Sequence, residues 1–217
     1  MASIVFISNA VRDKFGHHCK IPSYVWYHPL STLPLIDKIS KNAYHKKYIT
    51  MINPIFVKGG NIFLNIVKQL PKLKFMAVLN WCDQIKDSID LSKYENIHVT
   101  PRSNNMDVIY KQTKIILVPS VWDEAFGRVV IESASYGIPT IASNSGGLKE
   151  SVGEGGILIN NFINTDEWVK AIEKLLNKKN YTKYSKLALK NSLKFAPETQ
   201  CRKFENIIKK SVADIVN

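Results

Sequence analysis

The chain has 217 residues, with 30 lysines and arginines against 18 acidic residues, a formal net charge of +12 at pH 7 and 45% hydrophobic content. Such a length and apolar content suit one large domain, or a domain with an appendage, built round a true core. The composition excludes a membrane span, because no apolar run reaches about 18 residues, and nucleic-acid readout, because arginine is scarce and no aromatics interleave with a basic stripe.

Most of the positive charge reads as solvated helix surface, as at Lys178, Lys179, Lys183, Lys186, Lys190 and Lys194. Attraction to nucleotide phosphates, anionic lipid or acidic glycans is the alternative reading of the excess. Cys19, Cys82 and Cys201 are widely spaced, form no metal pattern and point to a reducing, cytoplasmic setting. Peripheral contact with a membrane surface stays open. Met1-Ala2-Ser3 leads straight into an apolar run too short and too poor in flanking charge for a signal peptide, and reads as a natural start.

In chain order, Ile4–Ile7 is expected as a strand, and Ser8-Asn9 as the cap of a short helix through Phe15. The adjacent His17 and His18 have no acid or second cysteine nearby, and read as structural rather than metal-binding. Ser23–Tyr27 is a second short strand, followed by a lysine-rich connector from Leu30 to Lys47. Tyr48–Ile55 opens the main sheet. Asn53-Pro54 closes it, and Lys58-Gly59-Gly60 opens a helix running to Leu70, with Ile62, Phe63, Ile66, Val67 and Leu70 at helical spacing. Phe75–Leu79 is the second main strand, Cys82–Tyr94 an ambiguous, weakly helical segment, and Ile97–Val99 the third strand. Asn104 or Asn105 caps a helix from Met106 to Gln112, and Ile115–Val118 is the fourth strand. Val129–Tyr136 is helical and stops at Gly137-Ile138-Pro139. Thr140–Ala142 and Gly155–Ile159 supply strands five and six. Thr165 or Asp166 caps a helix ending near Asn177, and helices over Tyr181–Phe195 and Glu198–Val216 finish the chain.

Strands alternating with helices predict an α/β fold, a single Rossmann-like domain with a six-stranded parallel sheet in the order 3-2-1-4-5-6 and a small N-terminal appendage. Right-handed crossovers bring the loops after strands one, four and five to one edge, where ligands of such sheets bind. The appendage and the last helix are expected side by side.

Two of those loops carry chemistry. Lys58-Gly59 stands at a helix N-terminus, where N–H groups and the positive dipole end suit a diphosphate; an exposed lysine ahead of a helix is the alternative. The loop after strand four holds Glu124, Phe126 and Gly127, with Glu132 beyond seven intervening residues on an otherwise apolar helix face. A carboxylate there either faces solvent or is buried with a partner. Phe126 suits core packing as well as a site. Gly146-Gly147 reads as a tight turn near the site, and Glu150 as a helix-face acid.

The Glu124-x7-Glu132 pair, with Phe126-Gly127 after the first acid and Gly137-x-Pro139 after the second, resembles the family 4 retaining glycosyltransferases, enzymes of two-domain GT-B architecture. The string from Pro119 to Gly156 is similar to their donor-binding domain. The resemblance implies that Lys58 holds the donor diphosphate with Gly59 beside it, that Glu132 accepts from the ribose hydroxyls, and that Glu124 contacts the donor sugar at the reacting centre. Ala125, Phe126, Gly127, Arg128 and Val129 would surround the sugar and β-phosphate, and Pro101-Arg102-Ser103 the base. Asn53 stands where the family usually has arginine, and Arg128 is a candidate to supply the missing charge. Lys58 and Glu124 are thus the implied catalytic residues, and the donor a UDP-, GDP- or ADP-sugar.

Retaining transfer of this kind is drawn as front-face attack, with the leaving diphosphate helping to deprotonate the acceptor. It implies no metal and no cofactor, in keeping with the lack of an Asp-x-Asp motif. Only the donor half is recognisable. Residues 48–217 would be the nucleotide-sugar-binding domain, and residues 1–47 an appendage and connector, the remnant of an acceptor domain. Three readings follow: a glycosyltransferase whose glycan, lipid or small-molecule acceptor site is completed by a partner chain or a homodimer; a nucleotide-sugar-binding module without transferase activity; and an epimerase or phosphorylase of the same fold.

Overall fold

A computed structural model describes residues 3–31, 43–79 and 90–216. The expected segment Cys82–Tyr94 falls mostly outside the described residues, as does much of the Leu30–Lys47 connector.

The first elements form the appendage. Strand β1 (Ile4–Phe6) pairs in parallel with β2 (Ser23–Val25) across helix α1 (Asn9–Phe15). Ser8 caps α1, its hydroxyl accepting from the Val11 N–H at 3.1 Å, as the Ser-Asn pair predicts.

The main sheet holds β3 (Tyr48–Ile52), β4 (Phe75–Val78), β5 (Ile97–Thr100), β6 (Thr113–Val118), β7 (Thr140–Ser143) and β8 (Gly156–Ile159), all parallel, in the order β5-β4-β3-β6-β7-β8. This is the expected 3-2-1-4-5-6. β3 and β6 lie at its centre, so the loops leaving them diverge at the switch point where such sheets bind ligands. Both strands are apolar on both faces because helices cover both. Ile49, Met51, Ile115 and Leu117 point to one side, against α2 (Gly60–Gln69) and α6 (Thr165–Leu176), where Phe63, Ile66, Trp168 and Ile172 are fully buried. Tyr48, Met76 and Ile116 point to the other, against α3 (Met106–Gln112) and its Ile109 and Tyr110. Each such side chain contributes about 1.5–3 kcal/mol.

Helix α4 (Arg128–Ala134) follows β6. The short α5 (Leu148–Val152), to which the sequence reading gives no range beyond placing Glu150 on a helix face, follows β7. α7 (Lys178–Ser192) packs on α4, α6 and β8. It begins ahead of the expected Tyr181 because Asn177 caps it, accepting from the N–H groups of Lys179 and Asn180. The cap of α6 is likewise Asn164 rather than Thr165 or Asp166, since its side chain accepts from the Asp166 N–H at 3.0 Å. For α3 the cap is Asn105.

The closing helix α8 (Pro197–Val216) lies beside the appendage. The Trp26 indole N–H donates to the Gln200 carbonyl at 2.9 Å, and its ring sits 5.0 Å from that of Phe204. Tyr27 adds a second tie, packing against Phe126 and Phe195. Among the described residues no helix is long and apolar enough to cross a membrane.

Candidate functional site

Strand β3 ends at Asn53, which takes a left-handed conformation (φ 58°) that asparagine tolerates better than most residues. Its N–H donates to the Val78 carbonyl at 2.8 Å, and the chain turns away from the sheet into a single 3-10 turn ending at Lys58. Gly59 then caps α2 at φ 81°. A Cβ at that position would stand 1.8 Å from the Pro119 carbonyl oxygen, so glycine is what lets α2 start against the end of β6. The N–H groups of Lys58, Gly59 and Gly60 donate to the Ile55 and Phe56 carbonyls. The expectation of free N–H donors in this loop is therefore corrected. The turn spends them internally, and the cation it presents is the Lys58 ammonium.

That ammonium meets Glu124. Lys58 Nζ lies 2.6 Å from Glu124 Oε1, with the two side chains 33% and 14% exposed. The Glu124 loop is held from behind by the glycine turn after β7: the Gly147 N–H donates to the Glu124 carbonyl at 2.7 Å, and the Ser145 hydroxyl reaches Asp123 at 3.0 Å. The exposed Asp123 also receives Lys14 of α1 at 2.7 Å. These contacts hold the Asp123 carboxyl below its usual range, with the hydrogen bond from Lys14 the largest cause. Gly127, at φ 92°, caps α4, and a Cβ there would meet Leu148 of α5 at 2.7 Å.

Lys58 and Glu124 line a cleft of about 550 Å³ at the carboxyl edge of β3 and β6, together with Asn53, Gly127, Arg128 and Val129. Ile52 and Val129 also line a second cavity of about 240 Å³, which reaches Arg102 and Glu132. Glu132 and Tyr110 in turn join it to a third, of about 360 Å³. The three form one groove across the strand ends.

Glu132 is gripped on both oxygens. Arg128 reaches Oε1 (3.1 Å from Nη2), and the Tyr110 hydroxyl donates to Oε2 at 2.9 Å. Tyr110 itself is buried. Burial, with the neighbouring Glu132 charge, pushes its pKa well above the usual tyrosine value, so it stays a donor.

The structure thus brings Asn53, Lys58, Glu124, Gly127, Arg128, Val129 and Glu132 to one groove. Arg102 joins from the loop after β5, while Pro101 is exposed and lines none of the three cavities. Gly59 sits under the site as a helix cap. Ala125 is exposed beside Gly147. The Phe126 side chain faces away, buried between Tyr27 and Phe195, so its packing reading holds. Arg128 lines the cleft with Asn53 and Lys58, and its guanidinium is paired with Glu132.

Two residues escape sequence reasoning. Tyr110 lies 22 positions from its partner, with nothing local to mark it. Glu150, read as a helix-face acid, accepts from the N–H groups of Asn9 and Ala10, the Asn9 amide and the Tyr27 hydroxyl, all within 2.9 Å, and so fastens α1 to α5. Among the described residues no three histidines, cysteines or acids gather as a metal site.

Residues 38–191 match the family of glycosyl transferases group 1. A 41.2 kDa protein of the cps region of Klebsiella pneumoniae is 30% identical over 138 residues, 59% of this chain and 37% of its own length. A D-inositol 3-phosphate glycosyltransferase of Rhodococcus opacus is 38% identical over 71 residues, 32% of this chain and 16% of its own. Among solved structures, sucrose-phosphate synthase of Thermosynechococcus elongatus superposes with a TM-score of 0.80 at 18% identity, over 98% of this chain and 59% of that one. Anabaena HepE, solved with UDP and glucose, gives 0.76 at 17% identity over 94% and 62%. The chain therefore spans well under half the length of these curated relatives and about three fifths of these structures.

Proposed function

Because the chain belongs to the glycosyl transferases group 1 family, we propose that it binds a nucleoside diphosphate sugar in the groove and transfers the sugar with retention of configuration. The observation that carries this reading is the Lys58–Glu124 pair at 2.6 Å on the wall of the cleft at the β3 and β6 ends. Both cations lining the cleft are paired within the chain, Lys58 with Glu124 and Arg128 with Glu132. A donor would exchange the partners of the first pair: its diphosphate takes Lys58, and the sugar hydroxyls take the released Glu124. Charge on the leaving diphosphate is then stabilised by a cation already in place, and the diphosphate accepts the proton of the attacking acceptor hydroxyl on the same face. Glu132 receives the ribose hydroxyls, and the loop of Arg102 holds the base. A similar fold solved with UDP and glucose supports this class of donor.

The acceptor, a glycan, lipid or small molecule, needs a second wall. More than a third of each similar structure lies outside its match to this chain. We assign that wall to a partner chain or to a second copy of this one. No metal enters the proposed chemistry, whose charge is carried by Lys58. Calorimetry with UDP-, GDP- and ADP-sugars, followed by donor hydrolysis and by assignment of the product anomer, tests the reading. Binding with slow hydrolysis and a retained anomer is expected. Binding without hydrolysis or transfer under any condition would leave a binding module, and no binding at all would end the donor reading.

A further inference from the structure

We propose that Tyr110 is the positioning residue for ribose recognition, aiming the Glu132 carboxylate so that one lone pair on each oxygen faces the groove. The inference rests on the donor reading above and adds to it a residue that does not itself touch the ligand.

A carboxylate offers about four acceptor positions, two on each oxygen. In this structure Arg128 takes one on Oε1 through its Nε–H at 3.2 Å, with Nη2 also 3.1 Å from that oxygen, and Tyr110 takes one on Oε2. The remaining two match a vicinal diol, which needs one acceptor for each hydroxyl. Without a partner on Oε2, the carboxylate would turn about its last bond toward Arg128, and only one hydroxyl would be met well. Arg128, one helix turn before Glu132, is half-exposed, so its ion pair is solvent-screened and weak. Tyr110 is the rigid grip.

The surroundings of Tyr110 fit that task. Its side chain is 2% exposed, and its backbone carbonyl accepts from Lys46 at 3.1 Å. Its ring lies 5.2 Å from that of Tyr136, whose hydroxyl donates to Asp107 at 2.6 Å. The Tyr110 hydroxyl therefore points from α3 to α4 along a fixed line. Both Tyr110 and Glu132 line the two cavities at the Arg102 end of the groove, away from Lys58. A residue there bears on the nucleoside and not on the diphosphate.

Tyr110→Phe keeps the ring and removes the hydroxyl. Calorimetry would compare the parent, Y110F and Glu132→Ala with UDP, GDP and ADP and with their 2′-deoxy and 3′-deoxy forms. The parent should prefer ribose diphosphates, E132A should lose that preference, and Y110F should lose about three- to tenfold of it. Affinity for inorganic pyrophosphate should be the same in the parent and Y110F. A merely structural role would lower the unfolding midpoint without touching ribose discrimination, so thermal unfolding is measured in parallel. If Y110F keeps the parent's discrimination while E132A loses it, the inference falls and the donor reading stands. If E132A keeps it too, the ribose role of Glu132 falls with it. If the parent binds no nucleotide, both fail together.

Discussion

Glu124 and Lys58 are paired with each other, and this makes their substitutions asymmetric. Lys58→Ala removes the cation that a diphosphate would meet, and loss of one charge-assisted hydrogen bond costs about 1.5–3 kcal/mol, roughly ten- to hundredfold in affinity. Glu124→Ala instead frees Lys58 from its 2.6 Å partner. Bare nucleoside diphosphate should then bind as well as or better than to the parent, while the sugar nucleotide binds more weakly. Titrating both ligands against both variants checks this, and an equal loss for both ligands in the Glu124 variant would remove it from the sugar. Gly59 makes a second residue-scale case. Gly59→Ala drives a Cβ into the Pro119 carbonyl at a backbone angle that alanine resists. It should cost more than about 1 kcal/mol of stability, read from the denaturant midpoint. The residue types at these positions were readable from sequence, but their pairings were not. Lys58 and Glu124 lie 66 positions apart, and Tyr110 and Glu132 meet only because α3 and α4 share one face of the sheet.

At the scale of elements, the strands followed from punctuation, and their order from strands alternating with helices. Asn53-Pro54, Pro119-Ser120 and Gly137-x-Pro139 bound short apolar runs so sharply that six parallel strands were the one consistent reading. What stayed hidden were features that depend on contacts distant in sequence, such as α5, only five residues long, and its Glu150. Burial pushes the Glu150 carboxyl up. Hydrogen bonds from Tyr27, from the Asn9 and Ala10 N–H groups and from the Asn9 amide outweigh this and hold it below its ordinary value of 4.5. A carboxyl with a lowered folded pKa stabilises the fold fully above its unfolded pKa, and that contribution is lost as the pH falls through the folded one. The unfolding midpoint of Glu150→Gln should therefore lie below that of the parent at neutral pH, with the gap closing as the pH drops beneath 4.5. A gap that stays constant into strong acid would show that the carboxylate charge is not what fastens α1 to α5.

For the whole molecule, the decisive feature is where apolar surface is left uncovered. α8 starts against the appendage through Trp26 and Gln200, then carries Phe204, Ile208 and Val212 at helical spacing, 39%, 48% and 51% exposed. β1 and β2 form a two-stranded parallel sheet, whereas parallel strands are ordinarily buried inside larger sheets. Val5 on β1 and Phe15 on α1 are exposed as well. Appendage and helix, tied together at Trp26, thus both expose apolar side chains, and the acceptor wall proposed above would stand against them. Ile208→Asp with Val212→Asp should leave the unfolding midpoint near that of the parent, because neither side chain belongs to the core, and should leave donor affinity unchanged. It should abolish the assembly expected of the parent in light scattering, together with any transfer that rises per chain with protein concentration or on adding a partner. If the parent stays monomeric at high concentration, finds no partner and still transfers sugar at a rate per chain independent of concentration, the acceptor wall lies within this chain and assembly has no part in the reaction.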